Sequence, residues 1–100
     1  MLRNSLTGKQ KSFLRGLGQK LEPVVMVGKE GVTPTVVQAA REAVKKRELI
    51  KVRVLQNCMD EPEDAIKVLA ERADVNLVQI IGRNGLFYKR NFEKTKIELP

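Results

Sequence analysis

Residues 23–34 constrain this chain more tightly than any other stretch. Pro23-Val24-Val25-Met26-Val27 is an apolar run, too short for a helix and rich in β-branched side chains. It reads as a buried strand over Val24–Val27. Gly28-Lys29-Glu30-Gly31 comes next, and then Thr33-Pro34. Thr is a good helix N-cap, and Pro suits the first helical position because its missing N–H is not needed there. A strand that turns through glycines straight into a capped helix commits the chain to alternating strands and helices. It also builds a particular surface. Glycines let backbone approach a phosphate, and the helix behind them aims unpaired amides and a positive dipole end at the same place.

The flanking patterns agree. Ser5 or Thr7 can cap a first helix reaching about Lys20, with Leu6, Phe13, Leu14, Leu17 and Leu21 on one apolar stripe. Gly16 and Gly18 each weaken that helix by about 1 kcal/mol relative to Ala. The second helix reaches about Lys46 and buries Val36, Val37, Ala40, Ala43 and Val44. Leu49–Leu55 alternates, with Ile50, Val52 and Val54 on one face and Lys51 and Arg53 on the other, which predicts a strand with one wet face. Asp60 and Glu63 have capping-box spacing around Pro62 and open a third helix to about Arg72, with Ala65, Ile66, Leu69 and Ala73 inward. Leu77–Ile81 and Leu86–Lys89 read as strands joined by Gly82-Arg83-Asn84-Gly85, where Asn84-Gly85 favours a tight hairpin turn. The tail is polar until Ile97 and Leu99, which can dock on the domain.

The order is therefore α-β-α-β-α-β-β. Strand–helix–strand units pair in parallel, and the last hairpin adds an antiparallel pair. The expected fold is one α/β domain over residues 1–100, in two layers, with a mixed four-stranded sheet and helices mainly on one face. No repeat, linker or low-complexity tract interrupts it.

The formal net charge is +7, which calls for an acidic partner, nucleic acid before an anionic membrane. The charge is uneven. Residues 1–59 carry twelve Lys/Arg against four Asp/Glu, whereas residues 60–74 carry two against six. A polarised surface is expected, one region suited to phosphates and one not. The single cysteine, Cys58, excludes an intrachain disulfide and fits a reducing compartment. No apolar run approaches the ~18–20 residues that cross a bilayer. Met1-Leu2-Arg3-Asn4-Ser5 runs into a polar stretch without a signal-peptide core, so a cytoplasmic protein with no membrane partner is expected.

The candidate site centres on Gly28, Lys29, Glu30 and Gly31. Two glycines at such a junction can also serve the turn alone, and Glu30 repels phosphate. The near twin at 82–85 joins two strands and has no helix behind it, so its glycines read most simply as turn residues. Arg83 at its tip can still touch a phosphate. Lys9, Lys11, Arg15, Lys20, Arg41 and Lys45 can line a groove beside the loop, or form solvated faces as exposed Lys and Arg usually do. Lys51 and Arg53 likewise either contact RNA or keep one sheet face wet. Phe13 belongs to the core stripe, and no aromatic-rich strand pair offers base stacking, so phosphate contact and shape should dominate.

Little points to catalysis. There is no histidine, the commonest general base near neutral pH. Cys58 has no histidine to activate it and is followed by carboxylates, which disfavour the thiolate. One Cys and no His cannot make a zinc set. Asp60, Glu61, Glu63 and Asp64 are better explained by capping and solvation than as a Mg²⁺ site. A Walker loop needs longer glycine spacing and a following Lys-Ser/Thr, absent here. No cofactor, metal or small-molecule substrate is expected, and no enzyme.

Four segments occur in a recognisable order: Leu6-Thr7-Gly8-Lys9-Gln10, Val27-Gly28-Lys29-Glu30-Gly31-Val32, Arg47-Glu48-Leu49-Ile50-Lys51-Val52 and Leu77-Val78-Gln79-Ile80-Ile81-Gly82. Together they resemble CRM domains, the chloroplast RNA splicing and ribosome maturation family, in its bacterial single-domain form. The resemblance runs from Leu6 to Leu99. It implies a compact α/β domain with a four-stranded sheet, similar to the C-terminal domain of bacterial translation initiation factor three. It also implies that Gly28, Lys29, Glu30 and Gly31 contact RNA as the loop of KH domains does. Bacterial members are associated with large-subunit precursors, so the implied partner is ribosomal RNA during assembly. A monomer is expected, though the residues themselves leave the oligomeric state open. The chain departs from the family pattern at Glu30, where a basic or neutral residue is commoner, and at Gly85, which enlarges the last hairpin. Two other roles fit the sequence. One is an assembly factor acting through protein contacts on its acidic third helix. The other is a duplex-DNA or nucleoid protein.

Overall fold

The computed structural model describes residues 6–93 and 95–100. Seven elements occur in the expected order: α1 (Gly8–Gly18), β1 (Pro23–Val27), α2 (Pro34–Arg47), β2 (Leu49–Val54), α3 (Pro62–Ala73), β3 (Asn76–Ile81) and β4 (Asn84–Tyr88). Local chemistry sets the first two helix starts. Thr7 Oγ1 accepts from the Gln10 amide at 3.1 Å while the Gln10 side chain accepts from the Thr7 amide at 3.0 Å, a reciprocal capping box. Ser5, the other candidate cap, lies outside the described residues. Thr33 caps α2, and Pro34 opens it.

The third helix starts differently from expectation. Its N-cap is Glu61, which makes no side-chain capping bond, so the Asp60–Glu63 box does not form. Pro62 pre-sets the first helical residue without it. Asp60 lies instead against the loop at Gly31.

The sheet is mixed and four-stranded, in the order β1-β2-β4-β3. β1 pairs with β2 in parallel, and β4 runs antiparallel to both β2 and β3. β4 thus occupies the place beside β2 that a simple strand–helix–strand unit would give to β3. The reason is burial: Gly85, Leu86, Phe87 and Tyr88 are all buried, and a central strand is covered on both faces. β3, with half-exposed Asn76 and Gln79, takes the edge.

The two faces carry separate cores. Ile50, Val52 and Val54 of β2 join Val25, Val27, Phe87, Ile66 and Leu69 beneath α2 and α3. On the other face Leu49, Val78, Leu86 and Tyr88 pack on Leu14 of α1, with Leu6, Leu21, Ile97 and Leu99 beside them. Most helical cover is therefore on one face, and α1 with the tail covers part of the other.

That partial cover corrects two expectations. β1 is buried on one face only: Val25 and Val27 are in the core, but Val24 is 42% and Met26 49% exposed, because α1 does not reach this edge. Phe13 and Leu17 of the expected stripe are also exposed, since α1 meets the sheet along the narrow seam of Leu14 and Gly18. Gly18 permits that approach, as a Cβ there would fall 2.6 Å from Leu86 Cδ2.

The hairpin turn is a third correction. It consists of Gly82 and Arg83, with Gly82 at φ +57°, and Asn84 pairs with Ile81 across the ladder. Gly85 therefore does not enlarge the turn. It lies within β4 under α3, where a Cβ would fall 2.6 Å from Ile66 Cγ2.

Glu48 anchors the tail. It is fully buried between α2 and β2, and its carboxylate accepts from the amides of Asn91 and Ile97, each at 2.8 Å, and of Lys96. Three amide donors compensate a buried charge that would otherwise be costly. Burial pushes the neighbouring Tyr88 hydroxyl above its usual pKa; the Glu48 charge adds to this and Arg90 opposes it.

Candidate nucleic-acid interface

β1 delivers the chain to the loop. Val27 is buried opposite Val54, and its carbonyl accepts the Leu55 amide at 2.8 Å. The chain then reverses: the Gly31 amide donates to the Gly28 carbonyl at 3.0 Å, which puts Lys29 and Glu30 at the exposed corners of a four-residue turn. Gly31 lies at φ +74°, the left-handed region that favours glycine. The Thr33 amide donates to the Gly31 carbonyl at 3.1 Å, and Thr33 Oγ1 accepts the Val36 amide at 3.2 Å as α2 begins. The amides of Lys29, Glu30 and Val32 have no acceptor among the described residues, which leaves three donors available to an anion.

The two glycines do different things. A Cβ on Gly28 would meet Leu55 Cδ1 at 3.8 Å and Asn57 Oδ1 at 3.9 Å, which is ordinary contact. A Cβ on Gly31 would lie 3.1 Å from Asp60 Oδ2, on a backbone already strained for any L side chain. Gly31 shapes the turn. Gly28 has no such duty, and its bare surface is free for close approach.

The charges around the turn are mixed. Asp60 abuts Gly31 and Glu30 sits in the turn, so the acidic segment is not separated from the candidate site as its composition suggested. Cations come from both helices of this face. Arg72 Nη1 donates to the Val32 carbonyl at 3.1 Å, and Arg41 Nη2 donates to the Arg72 carbonyl at 3.0 Å. Arg41 was expected near the site. Arg72 was missed, because it lies at the end of the acidic helix and meets the loop only through a contact forty residues long.

The remaining candidates do not share one groove. Lys45 is exposed in the last turn of α2, and its carbonyl accepts Asn91 Nδ2 at 3.1 Å. Lys9, Lys11 and Arg15 lie on α1, across the sheet from α2, and Gln10 between the lysines donates to the Pro100 carbonyl at 3.3 Å. Arg83 is not a free tip: its Nε donates to the Val54 carbonyl at 2.8 Å and its Nη2 to the Leu55 carbonyl at 2.6 Å. These bonds tie the hairpin to the end of β2, next to the loop. Among the described residues no three His, Cys, Asp or Glu side chains gather as metal ligands, and no helix is long and apolar enough to cross a membrane.

The fold and the loop together define an α/β domain that presents backbone amides, ahead of a capped helix, at one end of a mixed sheet. The chain belongs to the CRS1/YhbY (CRM) domain family, whose model matches residues 6–89. It is 45% identical over 95 residues to the probable RNA-binding protein YqeI of Bacillus subtilis, covering 95% of this chain and 99% of that one. An RNA-binding protein of Haemophilus influenzae is 36% identical, over 96% of each chain. The solution structure of Staphylococcus aureus SAV1595, described there as a candidate RNA-binding protein, matches with TM-score 0.79 and 38% identity, covering 96% of this chain and all of that one.

Proposed function

We propose that this chain is a non-catalytic RNA-binding protein of the cytoplasm. It binds ribosomal RNA in large-subunit precursors as a single-domain monomer, through Gly28, Lys29, Glu30 and Gly31 with Arg41 and Arg72 behind them. The carrying observation is the Gly28–Gly31 turn, with three amides that have no acceptor among the described residues placed before the capped start of α2. Relatives named for RNA binding support the reading. Phosphate oxygens would accept from these amides, and the arginines would supply the charge that Glu30 and Asp60 partly cancel.

Gly28→Asp tests the loop. The site tolerates a side chain sterically, so the variant should fold, while its carboxylate occupies the phosphate position. Affinity for structured ribosomal RNA should fall at least about tenfold, near 1.4 kcal/mol. Unchanged affinity in the folded variant would remove the loop from the mechanism. Association with large particles in cell extract should also be lost on ribonuclease treatment. Persistence would favour docking through the acidic face of α3, where Glu61, Glu63, Asp64 and Glu71 are exposed.

A further inference from the structure

We infer that the uncovered sheet face beside the loop is a platform for unpaired RNA bases, which extends the site proposed above and rests on that RNA-binding reading. α1 stops where Gly18 meets Leu86, so the last cross-strand row before the loop has no helix over it. Register places Met26, Arg53, Asn84 and Ile81 side by side in that row, one from each strand, and Val24 and Lys51 share its face. Four strands at the usual spacing make a row about 14 Å wide. Met26 is 49% and Ile81 62% exposed, which is unusual for apolar side chains lying in line on a sheet.

Charge selects the occupant. The four strands contain no Asp or Glu; their only charged residues are Lys51 and Arg53, both on this face. Of the acids that adjoin the strands, Glu22 precedes β1 and Glu48 precedes β2, where it is fully buried with its carboxylate on tail amides. Exposed apolar side chains at the ends of the row with cations between and beside them suit a single strand, whose base faces need apolar contact while its phosphates need charge. A duplex hides its base faces. Asn84, between Arg53 and Ile81, is only partly exposed, so the accessible part of the row is set by Met26, Arg53 and Ile81. Met26 is two residues before Gly28, so one strand of RNA can cross the platform and enter the loop.

The test compares fluorescein-labelled RNA of about twelve nucleotides, a typical single-strand site size, as mixed-sequence single strand and as duplex. Met26→Ser/Ile81→Ser should weaken single-strand binding about fivefold and duplex binding less than about twofold, with an unchanged salt slope. Met26→Leu/Ile81→Val keeps the apolar surface and should keep the affinity. Lys51→Gln/Arg53→Gln should flatten the log–log salt slope by about 0.7 per lost phosphate contact. If single-strand affinity survives the serine pair while Gly28→Asp still abolishes binding, the platform is wrong and the loop stands. If neither variant matters, or the wild type binds neither RNA, the RNA reading fails and the platform with it. A change of oligomeric state with RNA affinity intact would make this face a protein interface and overturn the proposal.

Discussion

Segments 28–31 and 82–85 are spelled alike, glycine, cation, polar residue, glycine, and the fold uses them in opposite ways. In the first, the left-handed residue is the last glycine, Gly31, and the first glycine is unconstrained. In the second, the left-handed residue is the first glycine, Gly82, and the last is a packing residue beneath Ile66. The cations diverge too. Lys29 stands exposed at a turn corner, whereas Arg83 spends its guanidinium on the carbonyls of Val54 and Leu55. The next element along the chain decides the use of each segment. A helix start behind Gly31 leaves donors over for a ligand. A strand behind Gly82 consumes them in a ladder.

The strongest way to break this contrast is a single methyl group. Gly85→Ala puts a Cβ 2.6 Å from Ile66 Cγ2, a branched, fully buried atom that cannot swing away. Overpacking of this kind should cost about 3 kcal/mol of unfolding free energy by urea titration. Gly28→Ala, with nothing closer than 3.8 Å, should leave the midpoint within experimental error. Similar losses at both positions would show that the two segments are equally structural.

Arg83 gives the next largest effect. Arg83→Met keeps the stem and removes two charge-assisted bonds to carbonyls at the end of β2. The group is partly exposed, so the stability loss should be about 1–2 kcal/mol. RNA affinity of the folded protein should hardly change. A large affinity loss with normal stability would restore Arg83 as a ligand contact and blur the distinction between the two segments.

The parts legible in sequence were those set by near neighbours. Thr7 with Gln10 and Thr33 with Pro34 act over one helical turn, so their residue types suffice. The alternation Ile50, Val52, Val54 against Lys51, Arg53 carries its own period: the first face came out buried as read, while the other is wet at Arg53, half-covered at Lys51 and buried at Leu49. The failures were choices made by the rest of the fold. Asp60 and Glu63 have capping-box spacing, but Asp60 turns to the loop and Pro62 starts the helix unaided. Val24 and Met26 look buried by letter, yet burial depends on how far α1 extends, which no local pattern states. Glu48 is one more charged letter between helix and strand until the tail, some forty-five residues on, brings amides to its carboxylate. The loop itself was legible; its supporting arginine, Arg72, was not, for the same reason of sequence distance.

The smallest predicted effect falls on the side chains at the corners of the first segment. Lys29 and Glu30 are adjacent, exposed and opposite in sign, so each offsets much of the other's field at the turn. Lys29→Gln should weaken RNA binding about threefold and flatten the log–log salt slope by about 0.7–0.9, one phosphate contact. Glu30→Gln should tighten binding about twofold, with the gain disappearing as salt screens the removed repulsion. The amides of the turn are untouched in both variants, so most of the affinity should persist. If Lys29→Gln instead reproduces the loss expected of Gly28→Asp, the loop works as a lysine on a stalk, and backbone donors are not what separates it from its twin.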